Sequence, residues 1–306
     1  MLLKNQIITQ KATELGFSKI GFAAPMVLND NIQFFKEWLD DNNNASMEYL
    51  KKNLDIKENV NILYPEARSV IVLALNYFTD IKQSEKPNCG VISRYAIVQD
   101  YHQVLKLKTN KLIKELKIID IGFDARVFID SNFVLEKTYA EKAGIGWQGK
   151  NSLIITEEFG SWIFLAVMVT NREFEASKPV ENLCSDCRKC IEACPTKAIN
   201  ENKTIDARKC ISFHTIENKN AIPLELKGKF NNYIFGCDIC QEVCPFNIKH
   251  SLPTKDKDFF PFKENEIPIE EILKMTEEDF SKRFADSPIK RTKLEGLKRN
   301  AKFLLK

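Results

Sequence analysis

The sequence predicts a fold of the α+β or α/β class: a mixed α/β domain (residues 1–178), a cysteine-rich module (179–250) and a short helical tail (251–306). Three observations support this order. An apolar segment, SVIVLALNYF, is flanked by stretches with helical apolar spacing, as expected of a buried strand covered by helices. Eight cysteines follow between positions 184 and 244. The C-terminal stretch then combines an apolar stripe with a basic face.

The composition is that of a globular protein of enzyme size. The 306 residues are 44% apolar, and a formal charge of +3 is too small by itself to indicate a polyanionic partner. Lysine and glutamate interrupt the apolar residues at the N-terminus, and the longest apolar segments fall far short of the roughly 20 residues that cross a bilayer. We therefore expect a cytoplasmic, monomeric protein without a membrane span.

The first domain is predicted to be a sheet flanked by helices. Helical spacing of apolar residues predicts helices at 5–15, 32–39 and 101–118. The segment 69–78 is predicted to be a strand buried on both faces. A short strand at 125–129 ends at Asp130, which places an acid at a strand end.

The junction between the first domain and the module is predicted to be a hairpin. Two β-rich stretches, 152–156 and 161–170, are separated by Glu-Glu-Phe-Gly, which suits a turn. The module that follows has short loops and little core, so bound metal must supply much of its stability. From residue 264 onward the tail is predicted to be helical, with acidic residues early and basic residues late.

The cysteine spacing is the strongest motif in the chain. Cys184, Cys187, Cys190 and Cys194, followed by Pro195, form C-x2-C-x2-C-x3-C-P. This is the run of bacterial ferredoxins, in which the fourth cysteine ligates the neighbouring [4Fe-4S] cluster. In a reducing cytosol, thiols this close together are more often metal ligands than disulfides. The module is therefore predicted to be ferredoxin-like.

A second, modified run completes the ligand set. It keeps the C-x2-C-x3-C-P ending, and its missing member is supplied by Cys210 from upstream. Exchange of the fourth ligands then predicts two sites of four thiolates each. The first site consists of Cys184, Cys187, Cys190 and Cys244, and the second of Cys194, Cys210, Cys237 and Cys240.

Zinc is the alternative occupant of these two sites, since C-x2-C pairs also occur in zinc ribbons. Zinc ribbons pair two separate knuckles, whereas a compact run that ends in Cys-Pro suits a loop wrapped around a cube. Iron–sulfur clusters are therefore the preferred interpretation. Cys89 lies outside both runs and is interpreted as an ordinary loop thiol.

The α/β domain is larger than an electron carrier needs, and its motifs resemble those of one family. The segments that carry the resemblance are MEYLKKN, SVIVLALNYF, SRYAIVQDYH, DSNFVLEKTYAEKAGIGWQGKNSLI, GSWIFLA, DARKCISFHTIE, YIFGCDICQEVCPFN and SPIKRTKLEGLKRNA. With them the chain resembles the epoxyqueuosine reductases, cobalamin-dependent enzymes that complete queuosine at the wobble position of certain tRNAs. Asn132 and Phe133 depart from the family's usual Ala-Pro, and Phe213 and His214 from its usual tyrosine and leucine-like residue.

The resemblance implies a reductive-dehalogenase-like α/β domain that holds base-off cobalamin against the two-cluster module, with Asp130 as proton donor. Such a role requires burial or the cofactor's surroundings to raise the Asp130 pKa above its ordinary value of about 3.9. Without the resemblance, a turn-capping aspartate is the better interpretation. The cobalamin contacts carried over from matching positions are Asn53, Arg94, Asp130, Ile154, Leu165, Ser212 and Asp238.

Other residues near Asp130 each have two interpretations. Tyr101 and His102 are second-tier candidates to bind substrate or tune Asp130, although such a pair at a helix start is more often structural. Glu136 and Lys150 form either a structural ion pair or part of the site. Three glycines either let a bulky ligand approach the backbone or only serve turns: Gly144, Gly146 and Gly149.

The end of the tail is predicted to face RNA. Residues 287–306 contain seven lysines or arginines against one acid, and an apolar stripe runs through Leu294, Leu297, Ala301 and Leu304. The stripe is expected to dock the helix while the basic face meets the phosphates of a tRNA with epoxyqueuosine in its anticodon loop. The residues predicted to bind tRNA are Lys290, Arg291, Lys293, Lys298 and Arg299.

Two other functions are compared with tRNA modification. A cobalamin-dependent reductive dehalogenase of small molecules would share the cofactors, but such enzymes are usually exported behind a twin-arginine signal, which is not expected here, and need no basic tail. A non-catalytic two-cluster electron carrier leaves the 130–154 block unexplained. In the preferred interpretation a flavodoxin- or ferredoxin-like protein is expected to be the reductant.

Overall fold

The computed structural model describes residues 3–84, 86–259 and 264–305, so Lys306 lies outside the described residues. The α-helices of the described chain are α1 (Asn5–Glu14), α2 (Asn29–Asp40), α3 (Leu54–Glu58), α4 (Tyr101–Ile119), α5 (Glu136–Lys142), α6 (Lys189–Ala193), α7 (Ile211–Ile216), α8 (Ile239–Glu242), α9 (Pro245–His250), α10 (Ile269–Lys274), α11 (Glu277–Arg283) and α12 (Lys293–Leu304). The strands are β1 (Lys19–Ala23), β2 (Ser69–Asn76), β3 (Cys89–Ile92), β4 (Ala125–Phe128), β5 (Trp147–Gln148), β6 (Ile154–Ile155), β7 (Ile163–Thr170), β8 (Tyr233–Phe235) and β9 (Glu266–Pro268). The helices predicted at 5–15, 32–39 and 101–118 are confirmed.

The central sheet is antiparallel and has the strand order β1-β2-β7-β4. Every residue of β2 is buried, as predicted for a strand covered on both faces. Alternation along β2 explains this burial, because successive side chains point to opposite faces. Ile71 and Leu73 pack in the core beneath α1 and α4, whereas Val70 and Val72 pack with α5 residues on the other face. The sheet ends with β4 at Phe128, directly before the loop that carries Asp130.

The predicted hairpin between 152–156 and 161–170 is wrong. A turn is present, with Thr156 bridged to Gly160, but the two strands belong to different sheets. β6 pairs with β5, and β7 lies between β2 and β4. The long apolar β7 gains more by burial in the central sheet than by pairing with a two-residue strand.

A second sheet ties the three predicted segments together. Its order is β8-β3-β9, so the α/β domain, the cysteine-rich module and the tail each contribute one strand. β9 was not predicted, because three residues are too short for a period-2 pattern. The sheet shares one core with α10 and α12, through Ile92, Ile234, Ile267, Ile272 and Leu297.

The helical tail docks as predicted. In α12, Leu294, Leu297 and Ala301 are buried, and Leu304 is half-buried. A capping box, in which Thr276 and Asp279 bond each other's backbone amides, begins α11. Within the described residues, every helix is too short or too polar to cross a bilayer.

Candidate active site and cluster-binding sites

The four cysteines of the first predicted site line one cavity of about 180 Å³. Cys184 and Cys187 come from the loop that leads into α6, Cys190 lies within α6, and Cys244 comes from the start of α9. The structure therefore brings together the four cysteines that were predicted to share a cluster. Cys184, Cys187 and Cys190 are partly exposed, so this cavity opens to the surface.

In the second site Cys194 is buried, and Cys210, Cys237 and Cys240 are partly exposed. Burial, and after it the neighbouring Cys240 and Cys210 sulfurs, raise the pKa of the Cys237 thiol well above its ordinary value. Burial also raises the pKa of Cys210, with Cys194 as a further neighbour. These proximities match the predicted grouping of Cys194, Cys210, Cys237 and Cys240.

None of the nine cysteines forms a disulfide within the described chain. Among the described residues, no three His, Cys, Asp or Glu side chains converge as ligands of a single metal ion. A tetrahedral zinc ion needs sulfurs about 2.3 Å from one centre.

Asp130 lies in a loop whose conformation is set by its neighbours. Its φ of 47° places it in the left-handed region, which is costly for an aspartate. The Glu136 carboxylate, at the start of α5, compensates by accepting hydrogen bonds from the backbone N–H groups of Asp130 (3.1 Å) and Ser131 (2.8 Å). The Asp130 side chain is 69% exposed and so remains open to a ligand.

Two neighbouring residues at the start of α4 contact the Asp130 carboxylate. Tyr101 donates its hydroxyl to Oδ2 at 2.8 Å, and His102 Nε2 lies 3.7 Å from the same oxygen. The other ring nitrogen of His102 is 2.8 Å from Asp100, the N-cap residue of α4. The structure therefore brings together the predicted Asp130, Tyr101 and His102, and adds Asp100.

The direction of the Asp130 pKa differs from the sequence expectation. The nearby His102 ring, opposed by desolvation and reinforced by the Tyr101 hydrogen bond, holds the Asp130 pKa below its ordinary value. For His102, partial burial lowers the pKa, but the Asp100 and Asp130 carboxylates outweigh it and raise the pKa to about 9. At neutral pH the proton of this group therefore resides on His102, because the imidazolium stabilises the adjacent carboxylate.

The other interpretations around Asp130 are resolved by contacts. Glu136 bonds the Asp130 loop, whereas Lys150 lines the cavity of the first cysteine group, so the suggested Glu136–Lys150 ion pair is wrong. A Cβ on Gly146 would clash with the Ile155 carbonyl, and one on Gly144 with the Lys178 carbonyl. These two glycines accommodate the protein's own backbone rather than a ligand.

Arg94 and Asp238 form a buried junction between the α/β domain and the module. Asp238 is 1% exposed and accepts a hydrogen bond from the Arg94 backbone N–H at 2.8 Å. The Arg94 guanidinium lies 3.6 Å from Asp238 and donates to Glu242 at 2.6 Å. Burial, outweighing Arg94, raises the Asp238 pKa to about 7. Two hydroxyls of these segments, on Thr79 and Ser93, are buried without a hydrogen-bond partner among the described residues.

The remaining predicted cobalamin contacts are dispersed. Ile154 is buried in β6, and Leu165 packs half-buried against the same core on β7. Asn53 precedes α3 with a φ of 58°, and half-buried Ser212 stands two residues after Cys210. Only Arg94 and Asp238 of this set are joined by a direct contact recorded among the described residues.

The predicted tRNA-binding residues divide into two kinds. Lys290, Arg291 and Lys293 are exposed, and Lys298 is half-exposed. Arg299 instead donates to the carbonyls of His214 (2.8 Å), Asn220 (3.1 Å) and Asn218, which fastens α12 to the module. The guanidinium of Arg299 therefore already donates hydrogen bonds within the protein.

Tyr49 and Glu217, at the mouth of the site, were missed by the sequence analysis. Arg291 pairs with Glu217, and its charge also acts on Tyr49 and on Asp130. Tyr49 is 39% exposed, and its carbonyl accepts a hydrogen bond from Asn132, two residues after Asp130. No sequence pattern links these positions, because they meet only through the tertiary fold.

Two family models match the chain. The model described as "4Fe-4S double cluster binding domain" matches residues 183–247, and "Epoxyqueuosine reductase QueG, DUF1730" matches residues 58–131. The first match decides between the two metals considered for the cysteines. The module binds two [4Fe-4S] clusters.

Relatives match over the whole chain. The epoxyqueuosine reductase of Atelocyanobacterium thalassa is 39% identical over 308 residues, which cover 99% of each protein. The solved structure of the enzyme from Streptococcus thermophilus matches with a TM-score of 0.89 at 29% identity, and covers 98% of this chain and 80% of that one. An epoxyqueuosine reductase solved with an epoxyqueuosine-modified tRNA-Tyr stem loop matches with a TM-score of 0.90 at 28% identity and the same coverage.

The match to reductive dehalogenases is distant. A catabolic reductive dehalogenase aligns over 80% of this chain with a TM-score of 0.47 at 14% identity. The curated epoxyqueuosine reductases, by contrast, match over nearly the full length of the chain. The chain belongs to the epoxyqueuosine reductase family of oxidoreductases.

Proposed function

We propose that this protein reduces epoxyqueuosine in tRNA to queuosine. Full-length similarity to epoxyqueuosine reductases carries the proposal. The reaction removes the epoxide oxygen as water and leaves a double bond, so each turnover consumes two electrons and two protons. The protein must therefore bind a strong reductant, hold a proton next to the epoxide and admit one nucleotide of a folded RNA.

The proposed cofactors are the two [4Fe-4S] clusters and base-off cobalamin. Each cluster would be held by one group of four cysteines, as described above. Cobalamin would lie between Asp130 and the Arg94–Asp238 junction, with Asn53, Ile154, Leu165 and Ser212 as further contacts. The unpartnered Thr79 and Ser93 hydroxyls favour a ligand rich in amide groups, because buried polar atoms normally have a hydrogen-bond partner. When bound, these groups supply the two electrons at low potential.

The proton is proposed to come from the Asp130 group. His102 is protonated below a pH of about 9 and lies within ion-pair distance of the Asp130 carboxylate. His102 therefore stores a proton, and Asp130 presents it to the epoxide oxygen once a proton has moved to its carboxylate. Tyr101 fixes the carboxylate by its 2.8 Å hydrogen bond. Glu136 holds the strained backbone that aims Asp130 into the open side of the site.

The tRNA is proposed to approach across the start of the tail. Lys290 and Arg291 act electrostatically on Asp100 and Asp130 respectively, so positive charge surrounds the entrance to the acid. Lys293 and Lys298 extend this basic surface along α12. A nucleotide swung out of the anticodon loop would reach Asp130 while its flanking phosphates meet these lysines. In this proposal the protein works as a monomer in the cytoplasm.

Anaerobic single-turnover assays with epoxyqueuosine-containing tRNA test the proposal, with dithionite as reductant. The reconstituted protein should form queuosine, and Asp130→Asn should lower the rate by roughly 10²- to 10⁴-fold, the range of a lost general acid. Asp40→Asn, at an exposed position at the end of α2, is the matched control and should keep full activity. A reconstituted protein that leaves epoxyqueuosine unchanged would overturn the proposed function.

A further inference from the structure

One cavity is lined by Cys184, Cys187, Cys190 and Cys244. Three of these cysteines are partly exposed, two of them in the loop before α6 and Cys190 within α6. The second site also has three partly exposed cysteines, but its ligands adjoin Asp238, which is buried. The cavity therefore gives a protein in solution a route to the first site.

The rim of this cavity has a distinct chemistry. Besides cysteines, its lining contains the side chains of Lys150, Lys189 and Leu183, and no acidic residue. Neither lysine forms an ion pair within the described residues, whereas the neighbouring Arg188 is neutralised by Glu192 and Glu201. The two lysines thus leave uncompensated positive charge at the opening.

Apolar side chains also line this opening. Leu183 is 39% exposed beside Cys184. Phe246 also lines the cavity and packs edge-on against Trp147, which makes this wall rigid. The exposed acids Glu181 and Asp186 lie in the same loop but outside the lining. A small apolar patch with a charged rim suits a brief, electrostatically steered encounter.

We propose that this rim, defined by Lys150, Lys189 and Leu183, is the docking surface for a small acidic electron-carrier protein that reduces the cluster held by Cys184, Cys187, Cys190 and Cys244. The inference rests on the proposed function, since that reaction consumes two electrons per turnover. In each encounter the carrier loses one electron and the cluster gains it, so two encounters supply one reduction. The lysines pair with acids on the carrier, and the apolar patch excludes water between the two redox centres.

A competing role for the lysines is to offset the negative charge of the bound cluster. The two roles differ in what charge reversal changes. If the lysines only offset cluster charge, Lys189→Glu shifts the cluster reduction potential and slows every reductant alike. If they dock a carrier, reversal slows the protein reductant and spares a small one.

The test follows cluster reduction by absorbance in stopped flow, with the reconstituted full chain under anaerobic conditions. The reductants are a reduced acidic flavodoxin, a reduced acidic [2Fe-2S] ferredoxin and dithionite. Lys150→Glu/Lys189→Glu should lower the second-order rate constant with the active carrier by roughly tenfold at low ionic strength, and the difference should shrink in high salt because the charges are screened. Dithionite should reduce the variant as fast as the unsubstituted protein.

Matched controls separate docking from damage to the site. Lys111→Glu/Lys114→Glu makes the same change of charge at two exposed positions of α4 and should leave all rates unchanged. Leu183→Ser keeps the lysines and should weaken carrier binding without altering the salt dependence. The proposal is overturned if neither carrier reduces the unsubstituted protein, if both carriers reduce the charge-reversed variant at the normal rate, or if dithionite is slowed equally. Dithionite-driven turnover of tRNA tests the proposed function independently of this surface.

Discussion

Two aspartates of this protein have opposite environments. Asp130 is 69% exposed, sits on a strained backbone and has a lowered pKa because His102 and Tyr101 stabilise its charge. Asp238 is almost completely buried, and desolvation raises its pKa to about 7 despite its contact with Arg94. Both were predicted to contact the same cofactor. In the proposed function the exposed acid exchanges a proton, whereas the buried acid joins two parts of the fold.

Removal of Arg94 should produce the largest change in stability. Arg94→Leu leaves Asp238 and Glu242 without their cationic partner and removes donors to the Thr79 and Ile81 carbonyls. Loss of one member of a buried pair costs about 3–5 kcal/mol, so the thermal midpoint of the reconstituted protein should fall by roughly 5 °C or more. Differential scanning calorimetry measures this shift.

Asp238→Asn is the control for this junction. It keeps the shape and the hydrogen bond from the Arg94 backbone, and should lower the midpoint less than Arg94→Leu does. Equal effects of the two changes would contradict the view that an unpaired charge causes the loss. A normal midpoint for Arg94→Leu would show that the junction does not stabilise the fold.

Substitution of His102 should produce the next largest effect, on activity rather than on stability. His102→Gln keeps a polar side chain next to Asp130 but cannot carry a proton, so turnover should fall by roughly 10²-fold, the lower end of general acid–base effects. In the unsubstituted protein, activity should decline as pH rises through about 9, where His102 loses its proton. The variant should lack this decline. Rates measured from pH 6 to 10 with saturating tRNA test both expectations.

The same residue predicts a change of stability with pH. The pKa of His102 is higher in the folded protein than its ordinary value of 6.5. Its contribution to stability is therefore complete below pH 6.5 and is lost as pH rises through about 9.

A pH profile of activity that is identical in the His102→Gln variant and the unsubstituted protein would remove His102 from the proton path.

The sequence predicted the parts of the molecule that local patterns encode. The buried strand β2, the long helix α4, the docking stripe of α12 and the two cysteine runs all follow from short-range periodicity or spacing. The α12 stripe is an example, since Leu294, Leu297 and Ala301 recur at the helical period and are all buried.

Features that depend on distant contacts were not predictable. β6 and β7 were expected to pair. Instead, β7 pairs with β2 and β4, which are remote from it in the sequence. The lowered pKa of Asp130 depends on His102, which is 28 residues away along the chain. Arg299 was predicted to bind phosphate because the sequence shows its charge. The sequence does not show that the Asn220 and His214 carbonyls accept its hydrogen bonds.

Charge reversal in the tail should produce the smallest effect. It tests the surroundings of the exposed acid, Asp130. Lys290→Glu/Lys293→Glu should weaken tRNA binding by roughly fivefold in low salt and flatten its salt dependence, because fewer counterions are released from the RNA. Lys282→Glu, which changes an exposed lysine of α11, is the matched control and should leave affinity unchanged. Fluorescence anisotropy with a labelled stem loop at several salt concentrations measures both. Unaltered affinity would place the tRNA away from the Asp130 entrance.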